Sequence, residues 1–159
     1  MDIGQTAPDF TLPTATAADA ADGNNEITLS SLRGSIVVLF FYPKDMTPGC
    51  TTEATAFSTM KKDFDTLNVK IIGISKDSII RHGKFIAKHN LNITLAADEE
   101  GVACEAYGVW VLKKLYGREY MGIERSTYLI DVDGKIAQVW RKVRVKGHAE
   151  AVLDAAKNV

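Results

Sequence analysis

Apolar residues run without a break through "SIVVLFFY" (residues 35–42), β-branched and aromatic throughout, and predict a strand buried on both faces. "VKIIGIS" (69–75) predicts a second one. Between them, "TTEATAFSTMKKDFDTLN" (51–68) spaces Phe57, Met60, Phe64 and Leu67 by three and four residues, the mark of a helix with one apolar stripe. "KDSIIRHGKFIAKHN" (76–90) opens on an Asp/Ser capping pair and reads as a helix despite Gly83. A short strand follows in "NITLAAD", then a short helix in "EEGVACEAYGV" (99–109). Within "RSTYLIDVDGKIAQVWRKV" (125–143), two strands meet at Asp133-Gly134, a hairpin signal, and "HAEAVLDAAKNV" closes the chain with a helix. Near the start, the Ala/Asp-rich "TATAADAADGNN" (14–25) predicts a surface loop between two strand-like pieces. Strand–helix–strand–helix followed by a hairpin and a helix predicts an α/β fold, a mixed sheet with helices on both faces.

Composition narrows the function classes. At 159 residues the chain fits one domain, 1–159. A net charge of −1 gives no general pull toward nucleic acid or an anionic membrane. The basic run around Arg141 in "WRKVRVKG" reads as a guarded, solvated edge. No apolar stretch nears the ~20 residues of a membrane span. The start, "MDIGQTAPDFTLP", lacks the basic and apolar regions of a signal peptide, so a cytoplasmic protein is expected. Two cysteines exclude a disulfide scaffold, and three scattered histidines, His82, His89 and His148, give no metal-site spacing.

One of the two cysteines stands at an unusual corner. In "FYPKDMTPGC" (41–50), two prolines, a threonine and a glycine separate the buried strand from Cys50, and a helical pattern begins at once. Cys50 should occupy the first helical turn, where unpaired N–H groups and the positive helix end favour the nucleophilic thiolate. Thr47 is placed to aim a hydroxyl at the same sulfur, and Pro43 and Pro48 stiffen the approach. A cysteine that merely packs at a helix start is the plainer alternative.

Pro43-x-x-x-Thr47-x-x-Cys50 resembles the active-site signature of the peroxiredoxins, and "FFYPKDMTPGCTTEAT" is similar to their bacterioferritin-comigratory, or Q-type, branch. The likeness continues in "APDFTLP", "GISKDS", "AYGVW", "YMGIERSTYLID" and "WRKVRVKGHAE". The resemblance implies a thioredoxin-like fold and metal-free, cofactor-free reduction of hydrogen peroxide and organic hydroperoxides by cysteine alone. It makes Cys50 the peroxidatic nucleophile, which becomes a sulfenic acid. Thr47 would hydrogen-bond thiolate and peroxide, Pro43 would shield the sulfur, and Arg125 would supply a fixed cation. N–H groups of Gly49 and Cys50 would bind the developing negative charge, and Glu53 would orient Arg125. The implied reductant is a thiol protein such as thioredoxin or glutaredoxin, and the expected state is a monomer. Trp110 and Tyr116, near a loop, are candidates to line a substrate entrance, but core packing or simple exposure explains them better.

The chain also departs from that pattern. The resolving cysteine of many Q-type relatives falls here on Thr55, and an alternative position in the next helix falls on Ile86. Cys104 is the remaining candidate, and packing explains it better, because free cysteine behaves as a small hydrophobe. A one-cysteine cycle with an external thiol is therefore expected. An atypical two-cysteine cycle through Cys104 and a non-catalytic binding or chaperone module on the same fold are the rivals. A dithiol oxidoreductase needs C-x-x-C, and Thr47 stands where the first cysteine would be.

Overall fold

Ile36–Phe41 offers no polar side chain to solvent, and it becomes β3, buried at every position. The structure is a computed structural model describing residues 2–19 and 21–159. The other strands are β1 (Thr11–Ala15), β2 (Glu26–Thr28), β4 (Val69–Ser75), β5 (Thr94–Ala97), β6 (Trp110–Leu115), β7 (Arg118–Ile123), β8 (Ser126–Ile130) and β9 (Ile136–Trp140). The helices are α1 (Pro48–Thr59), α2 (Lys61–Thr66), α3 (Ile79–His89), α4 (Val102–Ala106) and α5 (His148–Ala156). Among the described residues, seven strands form one sheet in the order β2-β1-β5-β4-β3-β8-β9, while β6 and β7 pair only with each other. β3, β4 and β5 run parallel, and β8, β9, β1 and β2 join antiparallel, giving the expected mixed sheet.

Alternation along β3 splits the core in two, because successive side chains point to opposite faces. Val38, Phe40 and Tyr42 face α1, α2, α3 and α5 and pack with Phe57, Phe64, Phe85 and Val152. Val37, Leu39 and Phe41 face the other way, toward α4, and pack with Cys104, Tyr107 and Tyr128. Phe40 stacks on Phe57 with centroids 4.8 Å apart, which seats α1 on the sheet. Gly73 of β4 makes room for that stack, since a Cβ there would lie 2.6 Å from Phe40 and 2.8 Å from Leu95. Ser78 caps α3 as the sequence predicts, its hydroxyl accepting from the Arg81 amide. Among the described residues, no helix is long and apolar enough to cross a membrane.

Three elements differ from the sequence-based expectations. The single helix over 51–68 starts earlier, at Pro48, and breaks at Met60, whose ψ of 5° ends α1 and opens α2. The break brings the Phe57 and Phe64 rings to 6.0 Å, where a straight helix would separate residues seven apart by roughly 10 Å along its axis. The β6–β7 hairpin has no counterpart in the sequence reading. Its turn, Tyr116-Gly117, has positive φ at both residues, the twist that two-residue hairpins favour. The loop expected at 14–25 starts at 16, because Thr14 and Ala15 pair with Ala96 and Leu95. Met1, and Ala20 within that loop, lie outside the described residues.

Candidate active site

α1 carries Cys50 on its inward stripe. Cys50, Glu53, Ala54 and Phe57 are its buried residues, at the three- and four-residue spacing that lines one helix face. That spacing sets a carboxylate one turn from the sulfur. Pro48 occupies the first helical position with Thr47 as the extended N-cap, so Cys50 falls in the first turn, as expected. Helix geometry leaves the N–H groups of Gly49 and Cys50 without an intrahelical acceptor. The preceding loop is strained: Met46 has φ 70°, a left-handed conformation costing an ordinary residue about 1 kcal/mol.

The cation arrives from the other end of the sequence. β8 pairs antiparallel with β3 in a register that sets Ser126 opposite Phe41, so Arg125 stands just past the pairing, where β3 hands over to the loop before α1. Its Nη2 donates to Cys50 Sγ at 3.3 Å and its Nη1 to Glu53 Oε1 at 2.7 Å. One planar fork thus reaches both the sulfur and the carboxyl oxygen. Gly49 leaves room for it, since a Cβ there would come within 3.2 Å of Nη2. Glu53 raises the guanidinium further above its already high range against the opposing effect of burial, so the charge is permanent.

Glu53 is almost wholly buried, and its Oε2 has no hydrogen-bond partner among the described residues. Burial pushes its carboxyl up from 4.5 to about 7, outweighing the pull of Arg125. The folded chain therefore holds this proton more tightly than the unfolded one, and stability falls as pH rises from about 4.5 through 7. Glu53→Gln should remove that component: between pH 5 and 8 its thermal midpoint should fall less than the wild type's. Parallel pH profiles would refute the buried-carboxyl account.

Thr47 is placed differently from its expected role. The Thr47 hydroxyl does not donate to sulfur; it donates to Lys44 O at 2.8 Å. With its proton committed, its oxygen can only accept, for example from the O–H of a peroxide. Pro43 is half-buried and lines a groove of about 380 Å³ with Trp110, Lys113, Tyr120 and Met121. Trp110 lies under Lys76, whose Nζ is 4.0 Å from the ring, whereas Tyr116 is 95% exposed at the hairpin tip. Cys104 lies across the sheet from Cys50, in the opposite core. Burial, with Asp98 beside it, pushes its thiol far above the ordinary range. Lys113 went unrecognised in the sequence. Burial first and Arg125 second hold it below the usual amine range, while the Cys50 sulfur acts the other way, which puts a second cation in the field of the site. Only the β6–β7 pairing brings it there, and no motif marks it.

Residues 3–139 match the AhpC/TSA family. Peroxiredoxin Bcp of Bacillus subtilis is 48% identical over 159 residues, covering 100% of this chain and 97% of that protein. A solved cysteine-to-serine variant of PrxQ from Xylella fastidiosa superposes with a TM-score of 0.90 at 36% identity, covering 99% of this chain and 96% of that one. The bacterioferritin comigratory protein of Xanthomonas campestris, whose structure was solved to explain its alkyl peroxide reduction, gives a TM-score of 0.85 at 40% identity over 94% of this chain and 90% of that one. The thioredoxin-like fold, the family-wide match and relatives aligned end to end agree, and the chain belongs to the AhpC/TSA family, among the Bcp, or Q-type, peroxiredoxins, which are cysteine-based peroxidases.

Proposed function

We propose that the chain, working as one domain and as a monomer, reduces hydrogen peroxide and alkyl hydroperoxides through Cys50 in a one-cysteine cycle. The observation that carries this reading is the Arg125 fork, 3.3 Å from Sγ and 2.7 Å from Glu53. Its charge favours the thiolate and polarises an incoming O–O bond. Sγ attacks the terminal oxygen of the hydroperoxide, an S–O bond forms as the O–O bond breaks, and the sulfur becomes a sulfenic acid. The leaving alkoxide or hydroxide takes up a proton as alcohol or water. Thr47 accepts from the peroxide O–H, the first-turn N–H groups bind the developing charge, and Pro43 keeps water from the sulfur. The groove beside Pro43 has room for the organic part of an alkyl hydroperoxide. An external thiol, from thioredoxin, glutaredoxin or a small molecule, then attacks the sulfenic sulfur and expels water. A second thiol releases Cys50 and leaves the reductant as a disulfide. Such a supply of thiols is found in the cytoplasm.

Support for resolution from outside is the position of Cys104, buried behind the sheet with its amide bound to Asp98 Oδ2 at 2.8 Å. A disulfide needs Cα atoms within roughly 4.4–6.8 Å, and fraying one helix end does not carry a residue through a sheet. Stoichiometric peroxide should therefore leave a trappable sulfenic acid at Cys50 and no Cys50–Cys104 peptide in non-reducing maps. Cys104→Ser should keep the wild-type rate with a small-thiol reductant, within about twofold, and over-oxidise no faster. A dominant Cys50–Cys104 peptide would make the enzyme two-cysteine instead.

A further inference from the structure

Asp45 sits in the loop that carries the chain from β3 to α1, and it is 1% exposed. All its polar atoms are engaged. Its amide donates to Asp77 Oδ2 at 2.8 Å, and its carbonyl accepts from Arg81 Nη2 at 3.3 Å. Oδ1 accepts from the Tyr42 hydroxyl at 2.6 Å, and Oδ2 meets His82 Nδ1 at 2.7 Å. Asp77 is itself held by the Ser75 hydroxyl at 2.6 Å and by Arg81 Nε at 3.2 Å. The other ring nitrogen of His82, Nε2, faces Ala96 O at 2.9 Å. A carbonyl can only accept, so Nε2 carries its proton, and the Nδ1–Oδ2 contact holds one further proton, written on either partner. The ring is fully buried and tied at both ends. Asp77, Arg81 and His82, the last anchored on β5, thus grip a single residue of the loop before α1.

The position of that residue points beyond packing. Met46, with its left-handed backbone, comes directly after Asp45, and such a conformation persists only where neighbours enforce it. Thr47, the cap of α1, comes next, and its hydroxyl is bound by Lys44 on the other side of Asp45. Where Asp45 is held therefore decides where Thr47 and the first turn bearing Cys50 lie.

We infer that Asp45 and His82 are positioning residues, whose buried contact fastens the catalytic loop to α3 and so sets the reactive geometry of Cys50, with the loop and α3 opening as one unit. The inference rests on the proposed role of Cys50 and adds to it residues that act through the loop. Its test reads the sulfur without peroxide: iodoacetamide alkylation of the folded, reduced protein at one pH, in a Cys104→Ser background. Asp45→Ala should slow Cys50 by about 10- to 100-fold, the range expected for a small misplacement of a reacting group. Asp45→Asn should stay within about threefold of the parent, since its amide can accept from Tyr42 and donate to a neutral His82. His82→Phe should lose a similar factor to Asp45→Ala, and the double variant should lose no more than the worse single one. Unchanged alkylation in folded Asp45→Ala, or multiplying losses, would overturn the inference. Should Asp45→Ala not fold, hydrogen exchange in the wild type decides: the Asp45 amide should exchange at the rate of the α3 amides, and a loop exchanging independently and faster refutes the clamp. Coupled alkylation losses in a protein without peroxidase turnover would uphold the positioning and sink the peroxidase reading alone.

Discussion

Cys50→Ser should leave folded protein that consumes peroxide no faster than its dithiothreitol buffer, a fall of roughly four orders of magnitude or more. The substitution is nearly isosteric at a site with 1% exposure, so α1 and its stacked Phe57 should stay in place. The chemistry changes completely. A serine hydroxyl is un-ionised at neutral pH even beside a guanidinium, and its oxygen cannot take up a second oxygen as sulfur does. Peroxide loss followed in wild type, Cys50→Ser and Cys104→Ser checks this, with activity expected in the first and third. If Cys50→Ser retained a tenth of the wild-type rate, the nucleophile would have to be elsewhere.

Arg125→Met should cost about 100-fold or more in the second-order rate with peroxide, the loss typical of a donor aimed at developing charge. Arg125→Lys should recover only part of it. The guanidinium reaches Sγ from one nitrogen and Glu53 from another, while an ammonium is a single point that cannot hold both. Removing Arg125 also strands the buried Glu53 carboxyl, so a loss of folding could pass for a loss of chemistry. In a Glu53→Gln background that confusion disappears, and the rate loss should remain. Full turnover in folded Arg125→Lys would show that the fork geometry is irrelevant.

Much of this was legible in the sequence. Buried parallel strands write themselves as unbroken apolar runs, so β3 and β4 could be read directly, and the Asp/Ser pair before α3 announced its cap. The corner around Cys50 was legible because a breaker-rich loop, a cysteine and a helical stripe follow one another in sequence. Legibility failed where distant pairing does the placing. β6 and β7 stay half-exposed, so no burial imposes alternation on them, and Lys113 reached the site unseen. Thr47 stands where expected, but its hydroxyl direction depends on the left-handed turn at Met46, which nothing local demands. Asp45 and His82 lie 37 positions apart, and a lone histidine among the apolar positions of α3 looks like any buried ring.

The antiparallel pairing of β8 with β3 has a bearing on biosynthesis. Cys50, Glu53 and the whole unit from β3 to β4 leave the ribosome well before Arg125, which is 75 residues downstream of the sulfur it serves. A nascent chain can close that early unit through neighbouring parallel strands, a contact of modest sequence separation, while the β8 pairing waits for a far longer loop to close. During that interval Cys50 exists without the guanidinium that will face it. On the proposed mechanism, reactivity is thus conferred late, by the docking of β8 on β3, and a truncated or stalled chain would carry a thiol that has not been armed.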